Sequence, residues 1–248
     1  MYHTLKKIIT RLVSRKFLFE QEENWRHWYA LFYSGTAFQC SVCDKNLSRF
    51  IKTENDSLCP NCGSLQRNRR LWQLLETEFL KNNVSILDFS PSRCLYRKLK
   101  KRNDIHYQST DLSGNFIADF HWDITQLDCK NNTFDLVVCY HILEHIPNDI
   151  LAMQELFRIL KPGGKILVQT PFKEGAIYEN PKIVSEQERL IHFGQEDHVR
   201  IYSVAGLKSR LEQCGFGVEI RKYSNEKTRL DLDTNETILV LTKPLNTE

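Results

Sequence analysis

Glycine is scarce in this chain, ten residues in 248, and none falls in a G-x-G-x-x-G arrangement. That absence removes the turn by which dinucleotide phosphates are held, so NAD is disfavoured. Long apolar runs are missing as well. Nothing approaches the roughly 18–20 residues that a spanning helix needs, so no stable membrane insertion is expected. The N-terminal MYHTLKKIITRLVSRKFLF is interrupted by Lys and Arg throughout, and so lacks the apolar core of a signal peptide. Strong charge of either sign is also absent. A formal net charge of +3 argues neither for nor against nucleic acid. What is there, 41% hydrophobic and 26% charged residues, suits a soluble globular protein. The length suffices for one doubly wound domain with a small appendage.

The eight cysteines are divided unevenly. Four form Cys40-Ser41-Val42-Cys43 and Cys59-Pro60-Asn61-Cys62, a C-x2-C-x15-C-x2-C pattern. Two tight turns each present two thiolates, and together they complete a tetrahedral Zn²⁺ shell with no open position, which marks a structural site. Cys94, Cys129, Cys139 and Cys214 read as small apolar residues, and only Cys139 belongs to a site. The pattern suits a reducing compartment, and the cytoplasm is expected. Residues 1–33 read as an amphipathic helical segment with Leu5, Ile8, Ile9, Leu12 and Val13 on one face, packed on the domain. Contact with a membrane surface or RNA is its second reading. Residues 34–66 form the ribbon. Arg67, Arg69 and Arg70 open the next helix, where positive charge is mildly unfavourable. They are expected to be solvated or domain-bridging, with an acidic partner nearby.

Residues 67–248 are the catalytic candidate. Within them FDLVVCYHILEHIPNDILAMQELFRILKPGGKILVQTP (134–171) predicts a buried strand over 134–139, a helix over about 149–160 and a second buried strand over 165–170. Asn148 or Asp149 caps the helix, Ile150, Met153, Phe157 and Leu160 recur at helical spacing, and Pro162-Gly163-Gly164 stops it. Two near-continuous apolar strands around a helix make a βαβ crossover in a parallel sheet. Ligands of such sheets sit at the carboxyl ends of the strands, and one end here carries Cys139-Tyr140-His141 and then Glu144-His145.

The strand, the LEH turn, the helix and the KPGG turn, in that order, closely resemble the centre of class I S-adenosylmethionine-dependent methyltransferases. The resemblance extends more weakly from about residue 85 to the C-terminus. It implies a Rossmann-like, doubly wound, mostly parallel sheet of about seven strands and S-adenosylmethionine as cofactor. CPNCGSLQRNRRLW also resembles a zinc-ribbon group of bacterial methyltransferases of type 11. In that family the first strand, here 84–89, ends in an acidic residue, Asp88, followed by a Gly-rich turn. Here the turn is Phe89-Ser90-Pro91-Ser92, without glycine. Asp111, 23 residues after Asp88, ends the second strand, followed by Leu112, and is placed to accept hydrogen bonds from both ribose hydroxyls. The resemblance further implies that Asp123 accepts from the adenine amino group, that Ile124 covers the ring, and that Cys139 and Tyr140 line the sulfonium region.

On one helical turn His141, Glu144 and His145 face one direction. One reading makes His141 a general base. A second resembles the ExxEH motif of ubiquinone-pathway and small-RNA O-methyltransferases, in which these side chains hold a divalent metal over a vicinal diol or catechol. A third has the LEH turn simply seating the helix. Residues 171–202 form an acceptor-side insertion or lid, whose His192, Gln195, Asp197, His198 and Arg200 are candidate acceptor contacts. Placed over the strand ends, it would bring His198 near His141 and Glu144. The expected activity is methyl transfer to a hydroxyl or amine of a small molecule or sugar. RNA is an acceptor class that the charge does not favour, and a non-catalytic scaffold is a rival that Asp88, Asp111 and Asp123 together oppose. The oligomeric state is not legible.

Overall fold

The computed structural model describes residues 15–53, 56–224, 228–232 and 235–245. The expected apolar face of Leu5, Ile8, Ile9, Leu12 and Val13 lies outside them. The chain forms two compact units. One comprises residues 1–78, 92–98 and 225–234, the other residues 79–91, 99–224 and 235–248.

The first unit begins with α1 (Arg15–Ala30), which runs into a 3-10 turn, Leu31–Tyr33. Its inner face carries Phe19, Glu22, Arg26 and Ala30. Glu22 accepts from Arg26 Nε at 2.8 Å, Arg97 at 3.0 Å and Arg93 at 3.2 Å. Against the cost of burial, the Arg26 and Arg97 guanidinium groups hold its carboxyl below the usual range. Two minimal sheets follow, β1 (Ser34–Gln39) with β2 (Asn46–Leu47), and β3 (Ile51–Lys52) with β4 (Ser57–Leu58). Then comes α2 (Gln66–Leu74), extended by a π turn over Leu75–Phe79.

Arg69 and Arg70 correct the expectation of solvated side chains, whereas Arg67 is half-buried. Arg69 is fully buried and Arg70 nearly so. Arg69 donates to the carbonyls of Ser57 at 3.2 Å, Ser64 at 2.9 Å and Leu230 at 3.0 Å, and its guanidinium lies 4.0 Å from the Phe50 ring centroid. It also pairs with the Asp231 carboxylate at 3.2 Å. Asp231 is the acidic partner that the sequence called for, inside the same unit. A lysine cannot reach this spread of acceptors, because its three donors sit on one nitrogen. Arg69→Lys is therefore expected to cost on the order of 3 kcal/mol in denaturant unfolding.

The second unit is built on one six-stranded sheet. Its elements are β5 (Ser85–Phe89), α3 (Arg93–Lys100, of which residues 93–98 belong to the first unit), β6 (His106–Thr110), β7 (Phe134–Tyr140), α4 (Asp149–Ile159), β8 (Leu160–Gln169), β9 (Tyr178–Glu179), α5 (Glu186–Phe193), β10 (Arg200–Ile201), α6 (Val204–Gln213), β11 (Gly217–Ser224) and β12 (Asn235–Thr242). The sheet order is β11-β12-β8-β7-β5-β6. β6, β5, β7 and β8 are parallel, and β12 and β11 are antiparallel. The central register sets Leu87 against Val137 and Val137 against Ile166. Val137 and Ile166 are fully buried, as parallel strands covered on both faces must be.

Six strands stand in place of about seven because the edge strand beyond β6 is reduced to a lone parallel bridge, Thr110 to Phe120, among the described residues. Asn148 caps α4 by accepting from Leu151 N at 3.1 Å. The buried face of α4 is Ala152, Met153, Leu156 and Ile159, whereas Ile150 is exposed. The helix ends at Ile159 because Leu160 is already extended, with ψ 135°, and pairs with Phe134. Lys161, restricted by the proline after it, continues that extended path. The Lys-Pro-Gly-Gly run is thus an irregularity within β8 rather than the turn that stops the helix. Gly163 has φ +78°, and a Cβ on Gly164 would stand 2.8 Å from the Lys161 carbonyl.

Candidate functional site

The turn after β5 needs a left-handed residue and uses Ser90, with φ +46°, where a glycine would ordinarily sit. The strain is held by two bonds: Ser90 N donates to Thr110 O at 2.8 Å and Ser90 Oγ to Asp111 at 2.7 Å. Asp111, at the carboxyl end of β6, also accepts from Ser113 Oγ at 2.9 Å and Phe116 N at 3.2 Å. It is 3% exposed. Its acceptor lone pairs therefore face the short 112–116 loop, in which Leu112 is exposed. Asp88 lies within β5, buried and hydrogen-bonded by Tyr107 Oη at 3.0 Å.

Burial pushes the Asp88 carboxyl up to about 7, opposed by the Tyr107 bond. The native state thus binds this proton more tightly than the unfolded chain does. Stability is full below about pH 4 and falls as pH rises towards 7, by up to ~4 kcal/mol for this group. Asp88→Asn is expected to flatten that slope in melting curves recorded from pH 5 to 8, and to leave the protein more stable at neutral pH.

Asp123 is exposed, and its carboxylate accepts from its own loop, Thr125 N at 2.8 Å and Thr125 Oγ1 at 2.7 Å. Ile124 packs into the central core at 4% exposure. Phe120 and Trp122 stack nearby, with ring centroids 4.3 Å apart. Sequence reasoning passed over this aromatic pair.

The ends of β7 and β8 gather most of the chemistry. Cys139 is fully buried, and burial, reinforced by the charges of Glu144 and Asp88, pushes its thiol well above the usual range. Tyr140 follows, half-buried, and His141 ends the strand with φ +55°, its N–H donating to Gln169 O at 2.8 Å. His141 Nδ1 stands 3.3 Å from Glu144 Oε1. The His141 Nε2, both Glu144 carboxylate oxygens, Gln169 Oε1 and Thr170 Oγ1 are buried and have no hydrogen-bond partner. Five such atoms around one pair of strand ends is unusual, since buried polar groups are nearly always satisfied. Gln169 and Thr170 were missed in the sequence, where they read as an ordinary strand end.

The insertion folds against this turn. β10 pairs with β9, and α5 begins with a reciprocal Ser185–Glu188 capping box. Val199 N donates to Glu144 O at 2.9 Å. Arg200, a candidate acceptor contact, is committed within the protein. It is 5% exposed and donates to the carbonyls of Leu143 at 3.1 Å, Ile146 and Pro147 at 2.9 Å, and to Glu179 at 2.9 Å. This clamp places His198 beside Glu144 and His145. One ligand atom from each of the three lies within 4.8 Å of the others. The His145 and His198 rings meet edge-on at 4.6 Å, and Asp197 approaches His145 Nδ1 at 3.2 Å. Burial, with the neighbouring His145, holds His198 below the ordinary histidine range. His141 is outside that trio. His192 bonds Tyr178 Oη at 2.8 Å, and both it and Gln195 are exposed.

In the first unit the two C-x-x-C turns are near copies. Asp44 N donates to Cys40 O and Gly63 N to Cys59 O, while Cys40 N and Cys59 N donate to Lys45 O and Ser64 O. Asp44 and Gly63 both have positive φ, +58° and +76°. Cys40 and Cys62 sulfurs are 3.6 Å apart, and those of Cys43 and Cys59 3.8 Å. A tetrahedron with Zn–S bonds of ~2.3 Å has edges of about 3.8 Å, so the donor set fits that ion.

A match to the family described as "Methyltransferase domain" covers residues 63–219. The chain belongs to the methyltransferase-domain family. Among curated relatives, a protein named a probable S-adenosylmethionine-dependent methyltransferase of Mycolicibacterium smegmatis is 32% identical over 40% of this chain and 35% of its own length. The ubiquinone biosynthesis O-methyltransferase of Aliivibrio fischeri is 28% identical over 33% of this chain and 35% of its own. This chain spans about a quarter to a third of the length of the curated relatives it matches. Phosphoethanolamine N-methyltransferase 2 of Haemonchus contortus, solved with S-adenosylmethionine, superposes with a TM-score of 0.52 at 17% identity, over 71% of this chain and 52% of its own. That likeness shows the fold, a doubly wound and mostly parallel sheet. The residues of this chain fit such a donor on their own chemistry. A large polar ligand at the ends of β7 and β8 would engage the buried orphaned atoms there. No helix among the described residues is long and apolar enough to cross a membrane.

Proposed function

We infer that this protein transfers a methyl group to a hydroxyl of a small molecule or sugar, with His141 as the base that takes the acceptor proton. The observation that carries this reading is the His141–Glu144 pair: a buried imidazole nitrogen with no partner, whose other nitrogen faces a buried carboxylate at 3.3 Å. S-adenosylmethionine, when bound, supplies an electrophilic methyl on a sulfonium. The chain aligns the acceptor and excludes water, which is where most of the acceleration of such a displacement originates. Asp111 accepts from the ribose hydroxyls once Ser113 yields. Asp88, Ser90 and Leu112 shape that turn, Asp123 and Ile124 border the adenine end, and Cys139 and Tyr140 the methyl end. Glu144 holds the His141 tautomer and stabilises the imidazolium that forms when the proton arrives.

A second reading is favoured by a separate observation, the convergence of Glu144, His145 and His198. One carboxylate and two imidazoles suit a first-row divalent ion better than Mg²⁺. Such an ion would orient an acceptor with two adjacent oxygens. The relative from Aliivibrio fischeri, an O-methyltransferase by name, supports an oxygen acceptor under either reading. RNA is the alternative acceptor class. Residues 171–202 serve as the acceptor-side lid. The four-cysteine ribbon holds a structural Zn²⁺, and free thiolates in such a set support a reducing compartment such as the cytoplasm.

The test is calorimetric titration of S-adenosylmethionine into the full chain. Micromolar binding is expected, with affinity lowered about a hundredfold in Asp111→Ala, since two charge-assisted hydrogen bonds are lost. No binding by the folded wild type would sink the enzyme reading. Metal analysis separates the two site readings. Two ions per wild-type chain and one in His198→Ala support the cation, while one in both leaves His141 acting alone.

A further inference from the structure

Gln169 closes β8 beside Tyr140 of β7, and Thr170 follows it. Gln169 Nε2 donates to Thr170 O at 3.4 Å, which leaves Oε1 as the free end of the amide. That oxygen and Thr170 Oγ1 are buried and have no hydrogen-bond partner, as are His141 Nε2 and both Glu144 oxygens. Thr170 and Glu144 are each 1% exposed.

The chemistry of these five atoms is one-sided. The carboxylate oxygens of Glu144 and the amide oxygen of Gln169 can only accept. His141 Nε2 accepts too when it serves as the base, and the Thr170 hydroxyl can give or take. None of the five belongs to a lysine or arginine. Arg200, on the insertion that folds against this turn, is committed to backbone carbonyls and to Glu179. A buried acceptor without a donor is costly, and a ligand that brings the donor recovers the loss. The group bound here must therefore carry several N–H or O–H donors. A carboxylate or phosphate brings acceptors only, and is excluded. The assigned contacts to the methyl donor lie on β5, β6 and β7 and in the loops after them, with none on β8. Gln169 and Thr170 thus fall to the acceptor.

We propose that Gln169 and Thr170 set acceptor specificity by binding the hydroxyls next to the one that is methylated. The acceptor is then a polyhydroxylated ring with no negative charge at that end. This rests on methyl transfer to a hydroxyl and names the class within it. A site built to pair hydroxyls rejects a ligand that lacks them, because its own buried groups are left unpaired. An internal RNA ribose, with one free hydroxyl beside a phosphate, does not fit it.

The test is calorimetry on the full, zinc-loaded chain. Titration of S-adenosylhomocysteine comes first and judges the methyl-transfer reading by itself. Methyl α-D-glucopyranoside is then titrated into the chain saturated with that product, against the corresponding glucuronide, which carries one carboxylate more. The glucoside is expected to bind about tenfold tighter than the glucuronide. Thr170→Val and Gln169→Met should each weaken the glucoside about fivefold, and leave S-adenosylhomocysteine within about twofold. Thr170→Val should also raise the melting temperature of the free protein by about 2–4 °C, since it removes a buried hydroxyl that lacks a partner. A merely structural hydroxyl would lower it, and that result overturns the assignment. Should one variant fail to fold, the other and the comparison of the two sugars on the wild type read the same site. Equal affinity for both sugars overturns the proposal, as does unchanged glucoside binding by the folded variants. No glucoside binding by a chain that binds S-adenosylhomocysteine overturns it and leaves methyl transfer standing. A product affinity that falls as far as the sugar's also overturns it, and moves both residues to the donor side.

Discussion

Removing metal from the Cys40, Cys43, Cys59 and Cys62 cluster is expected to unfold the unit that carries it. That unit has little else of its own. β2, β3 and β4 are two residues each, and such pairs are marginal in water without a core or a cross-link. Its buried apolar residues are few, among them Val42, Leu47, Phe50, Leu71 and Trp72. The four thiols crowd one another so closely that their neighbours hold Cys40 well below the usual thiol range and push Cys59 well above it. Only a cation lets all four shed their protons together. Structural zinc in comparable modules contributes ~10 kcal/mol or more at neutral pH. Cys59→Ser, or exhaustive chelation, should therefore abolish the cooperative transition of this unit and expose all four thiols to a labelling reagent. Unchanged melting after complete loss of zinc would show that the cluster is ornamental.

His141→Gly should separate stability from activity. The residue sits at φ +55°, a conformation that costs a side-chain-bearing residue about 1 kcal/mol and costs glycine almost nothing. The substitution relieves that strain, leaves the backbone bond to Gln169 in place, and removes a side chain that is only partly buried. The variant is expected to melt no lower than the wild type. Turnover, by contrast, should fall by roughly 10²–10⁴, the ordinary worth of a positioned base, with donor affinity nearly unchanged. Glu144→Gln should lose less, because it affects the base without removing it. Equal turnover in wild type and His141→Gly would move the proton acceptor elsewhere, with the trio at His198 next in line.

The parts of this molecule that could be read in advance are those whose signals are local. A strand, a capped helix and a second strand in forty residues announce themselves by periodicity, and two C-x-x-C turns by spacing. Contacts across long sequence separations were mostly not legible, although the insertion was expected to bring His198 near Glu144. Arg69 looked solvated because its acidic partner, Asp231, lies 162 residues on. Glu144, His145 and His198 converge only because Arg200 clamps the insertion against the LEH turn. The turn after β5 was located at Phe89-Ser90-Pro91-Ser92, but not its left-handed residue, since a left-handed serine has no sequence signature. The start of β8 was placed five residues late, at 165 instead of 160, because Pro-Gly-Gly reads as a helix stop, although here it distorts a strand.

Arg69 also sets an order of events in time. Its partners Leu230 and Asp231 leave a ribosome 161 and 162 residues after it. Until they emerge, the guanidinium at the start of α2 has only part of its hydrogen bonding, although the cysteines beside it have long been synthesised. The metal can be captured early, but the unit around it cannot close until Asp231 has emerged. Completion of the ribbon therefore reports that synthesis has passed the loop before β12. Nascent chains halted earlier would expose a basic, cysteine-rich surface to chaperones and proteases.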